Sequence, residues 1–309
     1  MAPIPGIVKY PSPVLCWLCL MFLAVPLPGQ DLDPRAYARV PVNLTLILAG
    51  FSYLDGGVVT DVTSPIQDLH ATVGTPSIGV GRTFSLFGRT AQAFAALPYS
   101  WARATGLVVG EAASTSRSGF SDLRLRFSVL LSGAPAATLK EFSKIPRQLV
   151  VGTSLTVIAP IGQYSPERLI NLGTNRWAFK PEVALSYPPD ERWLLDFYAG
   201  VWLFTDNVSF YPGNATRTQD PMVAFQAHVS YSLLPQTWAA FDLTYYAGGL
   251  TSVSGMSKAD RQNNVRIGGT FLLPVGDRHS VKLSCSTGAV IRIGANFTQL
   301  SFGWQTIFM

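Results

Sequence analysis

The residues with the clearest chemical potential are His228 and Ser230, two positions apart in "MVAFQAHVSYSL". With an orienting acid they would supply the base and nucleophile of a hydrolase. On an extended chain a spacing of two places both on one face with Gln226 and Ser232, while Val223, Phe225, Ala227, Val229, Tyr231 and Leu233 form the opposite face. An enzyme acting on lipid would need the pair on the apolar face, so the pattern argues against catalysis and the chain reads as a non-enzyme. His70 and His279 stand far apart near segment ends with no carboxylate cluster of calcium-loop type, so neither a metal nor another cofactor is expected. "GVGRTFSLFG" at 79–88 resembles a phosphate loop only in its glycines, since no helix follows them.

The equivalent polar face of other segments carries Arg124, Arg126, Lys180, Arg266 and Lys282 against Glu182, Asp196 and Asp242, with Asp122 near a segment end. Unpaired charges enclosed together would be costly, so most should pair across neighbouring strands. Lys180 and Glu182 share one segment, and Asp196 lies on the next.

Strands must hold these groups. Charged residues are 13% of the 309-residue chain, about half the usual ~25%, and mean hydropathy is +0.26. Beyond residue 25 no run approaches the roughly 18 to 20 apolar residues of a spanning helix. Apolar character spread in short alternation is instead the signature of barrel strands that show lipid on one side and water on the other. Period-two segments are predicted at 43–54, 71–86, 90–104, 119–131, 147–159, 174–187, 192–204, 221–233, 237–248, 263–273, 279–288 and 296–308. An even count brings both ends to the periplasmic side and alternates short with long connections; only 132–146 is long where a short turn is expected. A soluble sandwich also alternates, but its polar face should be a dense Lys/Glu surface. Here that face is Ser, Thr, Gly, Gln and sparse charge. Tyr99, Trp101, Trp177, Tyr187, Trp193, Phe204, Tyr231 and Trp238 cluster at segment ends as interfacial girdles would.

The expected fold is therefore all-β, a transmembrane antiparallel β-barrel of about twelve strands spanning 43–309, with Arg124, Arg126, Lys180, Glu182, Asp196, His228, Asp242, Arg266 and Lys282 lining its lumen. Two readings of that lining stay open: a charge network that keeps the lumen wet and its wall rigid, or a mildly cationic constriction selecting anionic or aromatic solutes. Whether the lumen narrows to a constriction wider than a sugar or is plugged by Phe51 or Tyr53 is left open by the sequence.

Residues 1–29 hold one charge, Lys9, then twelve uninterrupted apolar residues from Val14 to Val25, then Pro26 and Pro28, which reads as a cleaved signal peptide with the mature chain starting at Gln30 or Asp31. A short segment, 30–42, precedes the barrel. Removing the signal lowers the net charge from +5 to +4, too small an excess to imply nucleic acid, and leaves Cys285 as the one cysteine, which excludes a disulfide framework. The sequons at Asn43, Asn207, Asn214 and Asn296 are coincidental in a bacterial barrel. "QLSFGWQTIFM" closes the chain on an amphipathic strand with an aromatic before Met309, the kind of ending that outer-membrane barrel assembly machinery reads.

The segments "QDLDPRAYA", "GRTFSLFGR", "ALPYSW", "SGFSDLRLRFSV", "TVIAPIGQY", "NLGTNRWAFKPEVALS" and "YAGVWLFTDN" resemble outer-membrane barrels assigned to transport in the phenol meta-cleavage degradation pathway. The resemblance covers essentially the whole mature chain. It implies a twelve-stranded barrel related to the amyloid-subunit export channel, whose members carry an N-terminal helical region that can plug the pore; here only about a dozen residues precede the first strand. The expected function is passive passage of small, aromatic or hydrophobic solutes across a Gram-negative outer membrane, with membrane lipids as surroundings and a homotrimer left open. A secretion channel for an unfolded polypeptide and a non-conducting structural or adhesive barrel are the alternatives.

Overall fold

The alternating segments form strands in a computed structural model that describes residues 33–308 apart from 60–65, 109 and 143. The expected signal peptide at residues 1–29, residues 30–32 and Met309 lie outside the described residues. In chain order the elements are β1 (Thr45–Val59), β2 (Ile66–Leu86), β3 (Arg89–Val108), β4 (Glu111–Phe120), β5 (Leu123–Ser132), α1 (Leu139–Phe142), β6 (Val150–Ala159), β7 (Ala178–Tyr187), β8 (Trp193–Phe204), β9 (Asn207–Phe210), β10 (Ala215–Gln219), β11 (Met222–Leu234), β12 (Thr237–Gly248), β13 (Thr251–Val253), β14 (Met256–Ser257), β15 (Gln262–Val275), β16 (His279–Val290) and β17 (Gly294–Phe308).

Twelve antiparallel strands close into a barrel because β1 pairs with β2 on one edge and with β17 on the other, from Thr45 opposite Phe308 to Val59 opposite Gly294. Closure leaves the twelve-stranded wall without an unpaired edge, as a spanning sheet requires when lipid offers no hydrogen bonds, while β4 projects beyond it and pairs with β3 alone. One rim carries the start of β1, the end of β17 and the tight turns. In one of these turns Phe87 and Gly88 both take positive φ, 50° and 74°, which suits the twist of the flanking β2 and β3. The opposite rim carries the longer loops.

Period two decides the faces. On β7, Lys180, Glu182, Ala184 and Ser186 are buried while Pro181, Val183, Leu185 and Tyr187 are exposed on the outer wall. β11 likewise buries Gln226, His228 and Ser230 and turns Phe225 and Val229 outward. Trp193 and Tyr231 meet on the outer wall at 4.8 Å between ring centroids, near the turn rim. Two aromatics expected in the girdles face the lumen instead: Trp238 is buried, and Phe204 sits under Arg176. Their parity with Asp242 and Asp196 places them inside, and position at a strand end does not override it.

Three expectations need correction. The connection at 105–118 is mostly strand: β4 pairs with the far half of β3, from Tyr99 opposite Phe120 to Val108 opposite Glu111, and β5 continues the same line after a break at Ser121 and Asp122. β7 begins at Ala178 rather than 174, because Gly162 N, Thr174 N and Thr174 Oγ1 all donate to the Asp122 carboxylate and hold that stretch as a loop. The loops at 205–220 and 249–262 contribute β9, β10, β13 and β14 to a separate four-stranded sheet.

Candidate functional site: the lumen and its N-terminal segment

The lumen is entered by residues the periodicity could not place. The segment before β1 turns back inside the barrel wall, with Ala36 N donating to Asp33 O and Ala38 N to Arg35 O. Arg35 adopts a left-handed φ of 64°, unusual outside glycine. Its backbone N–H donates to Asp196 Oδ2 at 3.1 Å and its Nη2 to Ser232 Oγ at 3.0 Å, while the guanidinium lies 4.6 Å over the Trp238 ring. These contacts to β8, β11 and β12 offset the backbone strain.

Tyr37 is fully buried among Leu130, Ala134, Val150, Ala184 and Tyr198. Its hydroxyl donates to Glu182 Oε1 at 2.9 Å and lies 2.7 Å from Ser154 Oγ. The ring fits because β6 has glycine at the contact: a Cβ on Gly152 would stand 2.5 Å from Tyr37 Cδ1. Arg126 covers the ring at 4.8 Å, and Tyr198 meets it edge-on at 4.9 Å.

Glu182 is the hub of the first charge cluster. Lys180 Nζ donates to it at 2.8 Å, Gln226 Nε2 at 3.1 Å, and Arg126 stands 3.7 Å away. A buried carboxylate with this many donors satisfies the condition for keeping charge out of bulk water. A second row runs through β8, β11 and β12, where Asp196, His228 and Asp242 are register partners. His228 Nδ1 is 2.7 Å from Asp242 Oδ1, and Thr270 Oγ1 donates to Asp242 Oδ2 at 2.7 Å. Across the lumen Lys282 reaches Asp33 at 2.6 Å, and Arg126 approaches the same carboxylate at 4.0 Å. The segment thus bridges strands on nearly opposite sides of the wall.

Of the expected lining, Arg126, Lys180 and Glu182 come together, as do Asp196, His228 and Asp242; Lys282 joins them through Asp33. Arg266 stands apart toward the loop rim, where its Nη2 donates to Phe297 O at 2.6 Å. Arg124 is partly buried on β5, also nearer the loops, opposite Ala96 and Ile158. Asp33, Arg35 and Tyr37 are additional. The signal that could have found them is two charges and an aromatic in "DPRAYA", set against cationic groups on the wall that lacked acids. Phe51 and Tyr53 do not plug the lumen: both point outward, and Phe51 packs on Trp101 at 5.9 Å.

Chemically, this arrangement is an anchor. His228 Nε2 and Ser230 Oγ are buried and make no hydrogen bond, so the acid–base pair lacks a contacting nucleophile. Among the described residues no three His, Cys, Asp or Glu side chains gather as a metal would need.

Residues 54–302 match the protein family described as "Putative MetA-pathway of phenol degradation". The chain belongs to this family. Among solved structures, an outer membrane channel from Pseudomonas putida F1 is similar with a TM-score of 0.78 at 20% identity, the match covering 90% of this chain and 100% of that one. The beta domain of the Bordetella autotransporter BrkA gives a TM-score of 0.54 at 13% identity, over 86% of this chain and 99% of that domain. Among curated proteins none matches significantly. For this family member the structural likenesses establish the outer-membrane barrel fold.

Proposed function

We propose that this barrel is a passive outer-membrane channel for small aromatic or hydrophobic solutes, and that its route runs beside the N-terminal segment rather than along the axis. The observation that carries this reading is the asymmetry of the lumen wall. On the β5 to β12 side the segment is held by side chains that are almost fully sealed. The opposite side is built of short residues: Gly50 faces Gly303 and Ser77, and Ser52 and Ser284 both face Ser301. These six remain partly exposed. In this reading Arg124, Arg126 and Lys282 border the route, while Lys180, Glu182, Asp196, His228 and Asp242 fix the segment and Arg266 braces the loop rim. Residues 1–29 act as the signal peptide that delivers the chain. The family's description in terms of phenol degradation supports small aromatic solutes, and the outer membrane channel among its structural relatives supports a conducting barrel.

Single-channel recording of the mature protein in planar bilayers tests the proposal. A Cβ on Gly303 meets nothing closer than 3.8 Å, so Gly303→Trp projects a ring into the lumen without disturbing the wall. Smaller current steps are expected. Steps of unchanged size would refute the route, and an absence of steps in the unaltered protein would point to a structural or adhesive barrel.

A further inference from the structure

Two arginines in the loops above the barrel are buried with no carboxylate in direct contact. Arg176 is 3% exposed, and Arg217 on β10 is 8% exposed. The Arg176 guanidinium stacks 4.5 Å over Phe204 and donates through Nη2 to Gln219 Oε1, while its Nη1 has no partner. Arg217 lies 5.6 Å over Phe210. Among the described residues no carboxylate stands within 4.0 Å of either. The acids acting on Arg176 from beyond contact are the solvent-exposed Asp206 and then Asp122, which is committed to Gly162 and Thr174; the acid acting on Arg217 is Asp260, committed to Thr251 N and Oγ1 at 2.8 and 2.6 Å. Burial and the neighbouring Arg217 push Arg176 down to about 9. Two enclosed like charges with a free N–H are costly as they stand and are relieved by an anion that bridges them.

Directly beneath lies an apolar floor of Ala178, Trp202, Met222, Ala224 and Tyr246, against which Phe204 also packs. Cationic groups above and aromatic surface below suit a molecule with a carboxylate at one end and a ring at the other.

We infer that Arg176 and Arg217 form a reception site at the outer mouth for small aromatic carboxylates. The inference deepens the channel reading and rests on it for its purpose, but its test is separate. The guanidinium fork takes the carboxylate through charge-assisted hydrogen bonds, and the floor takes the ring before the molecule moves into the lumen.

Calorimetric titration of the purified mature protein with benzoate is the experiment, with benzyl alcohol and inorganic phosphate as comparison probes. Folding of each variant is checked by its heat-dependent migration in detergent gels. Arg176→Gln and Arg217→Gln should each weaken benzoate binding by about tenfold or more, the loss of one charge-assisted contact. Arg103→Gln, on the exposed outer wall, should leave it unchanged. If Arg176→Gln does not fold, Arg217→Gln on the loop sheet carries the comparison. Benzoate binding that is absent in the folded wild type, or that stays at the wild-type affinity in both arginine variants, overturns the site. Tighter binding of phosphate than of benzoate overturns the carboxylate assignment. Current steps without benzoate binding would remove this site and leave the channel standing; benzoate binding without steps would do the reverse.

Discussion

Gly152→Ala should release the N-terminal segment while leaving the barrel closed. The added Cβ would stand 2.5 Å from Tyr37 Cδ1 and 3.3 Å from Leu130 Cδ2, against a normal carbon contact of about 3.5 to 4.0 Å. The ring must therefore withdraw by about 1 Å. That shift lengthens the hydroxyl contacts to Ser154 and Glu182 from 2.7 and 2.9 Å to beyond hydrogen-bonding range. Losing one neutral and one charged hydrogen bond costs about 2 to 4 kcal/mol, and residual crowding adds about 1 kcal/mol. An undocked fraction larger by about a hundredfold or more follows. The assay is limited trypsin digestion of the folded protein in detergent, followed at the Arg35 bond, together with single-channel recording. Faster cleavage at Arg35 and more time in a larger-conductance state are expected. Cleavage at the wild-type rate with unchanged currents would refute the claim that Tyr37 seats the segment.

Asp122→Ala removes the acceptor of three loop hydrogen bonds, at 3.0, 2.8 and 2.6 Å; loss of amide-exchange protection at Gly162 and Thr174 by about 2 kcal/mol or more is expected. The Asp33–Lys282 pair is short but partly exposed, at 58% and 33%, so a double-mutant cycle on trypsin protection should give a coupling of no more than about 1 kcal/mol. Glu141 accepts from Thr138 N and Oγ1 at 3.0 and 2.8 Å, and these bonds hold its carboxyl below the ordinary 4.5. A lowered folded value means that the capping of α1 is fully present above about pH 4.5 and is lost as pH falls through the folded value; carboxyl NMR titration should show a midpoint below 4.5 that rises toward 4.5 in Thr138→Ala but stays below it, because the backbone N–H of residue 138 still donates.

The strands were legible wherever an apolar residue alternated with a small or polar one, as in "DLRLRFSVLL", because lipid on one side and enclosed water on the other impose that pattern on the sequence itself. β4 was not, since "EAASTSRSGF" has no apolar face and is ordered by pairing with the projecting half of β3. Lumen-facing positions such as Lys180 and His228 followed from parity alone. What parity could not give was the partner on the far side: Tyr37 and Arg35 sit in a segment without periodicity, and only closure of the wall brings Glu182 and Asp196 within their reach. The orphaned guanidinium of Arg176 was invisible for the same reason, because its surroundings come from loops with no repeating pattern.

Pairing of the first strand with the last ties closure of the wall to two strands far apart along the chain. Thr45 waits for Phe308, so the seam cannot zip until every strand between them has been laid down. Until then the leading end hangs free of any enclosing cylinder. Its seat beside Gly152 is built from β5, β6, β7 and β8, neighbours in the sheet that do not depend on that seam.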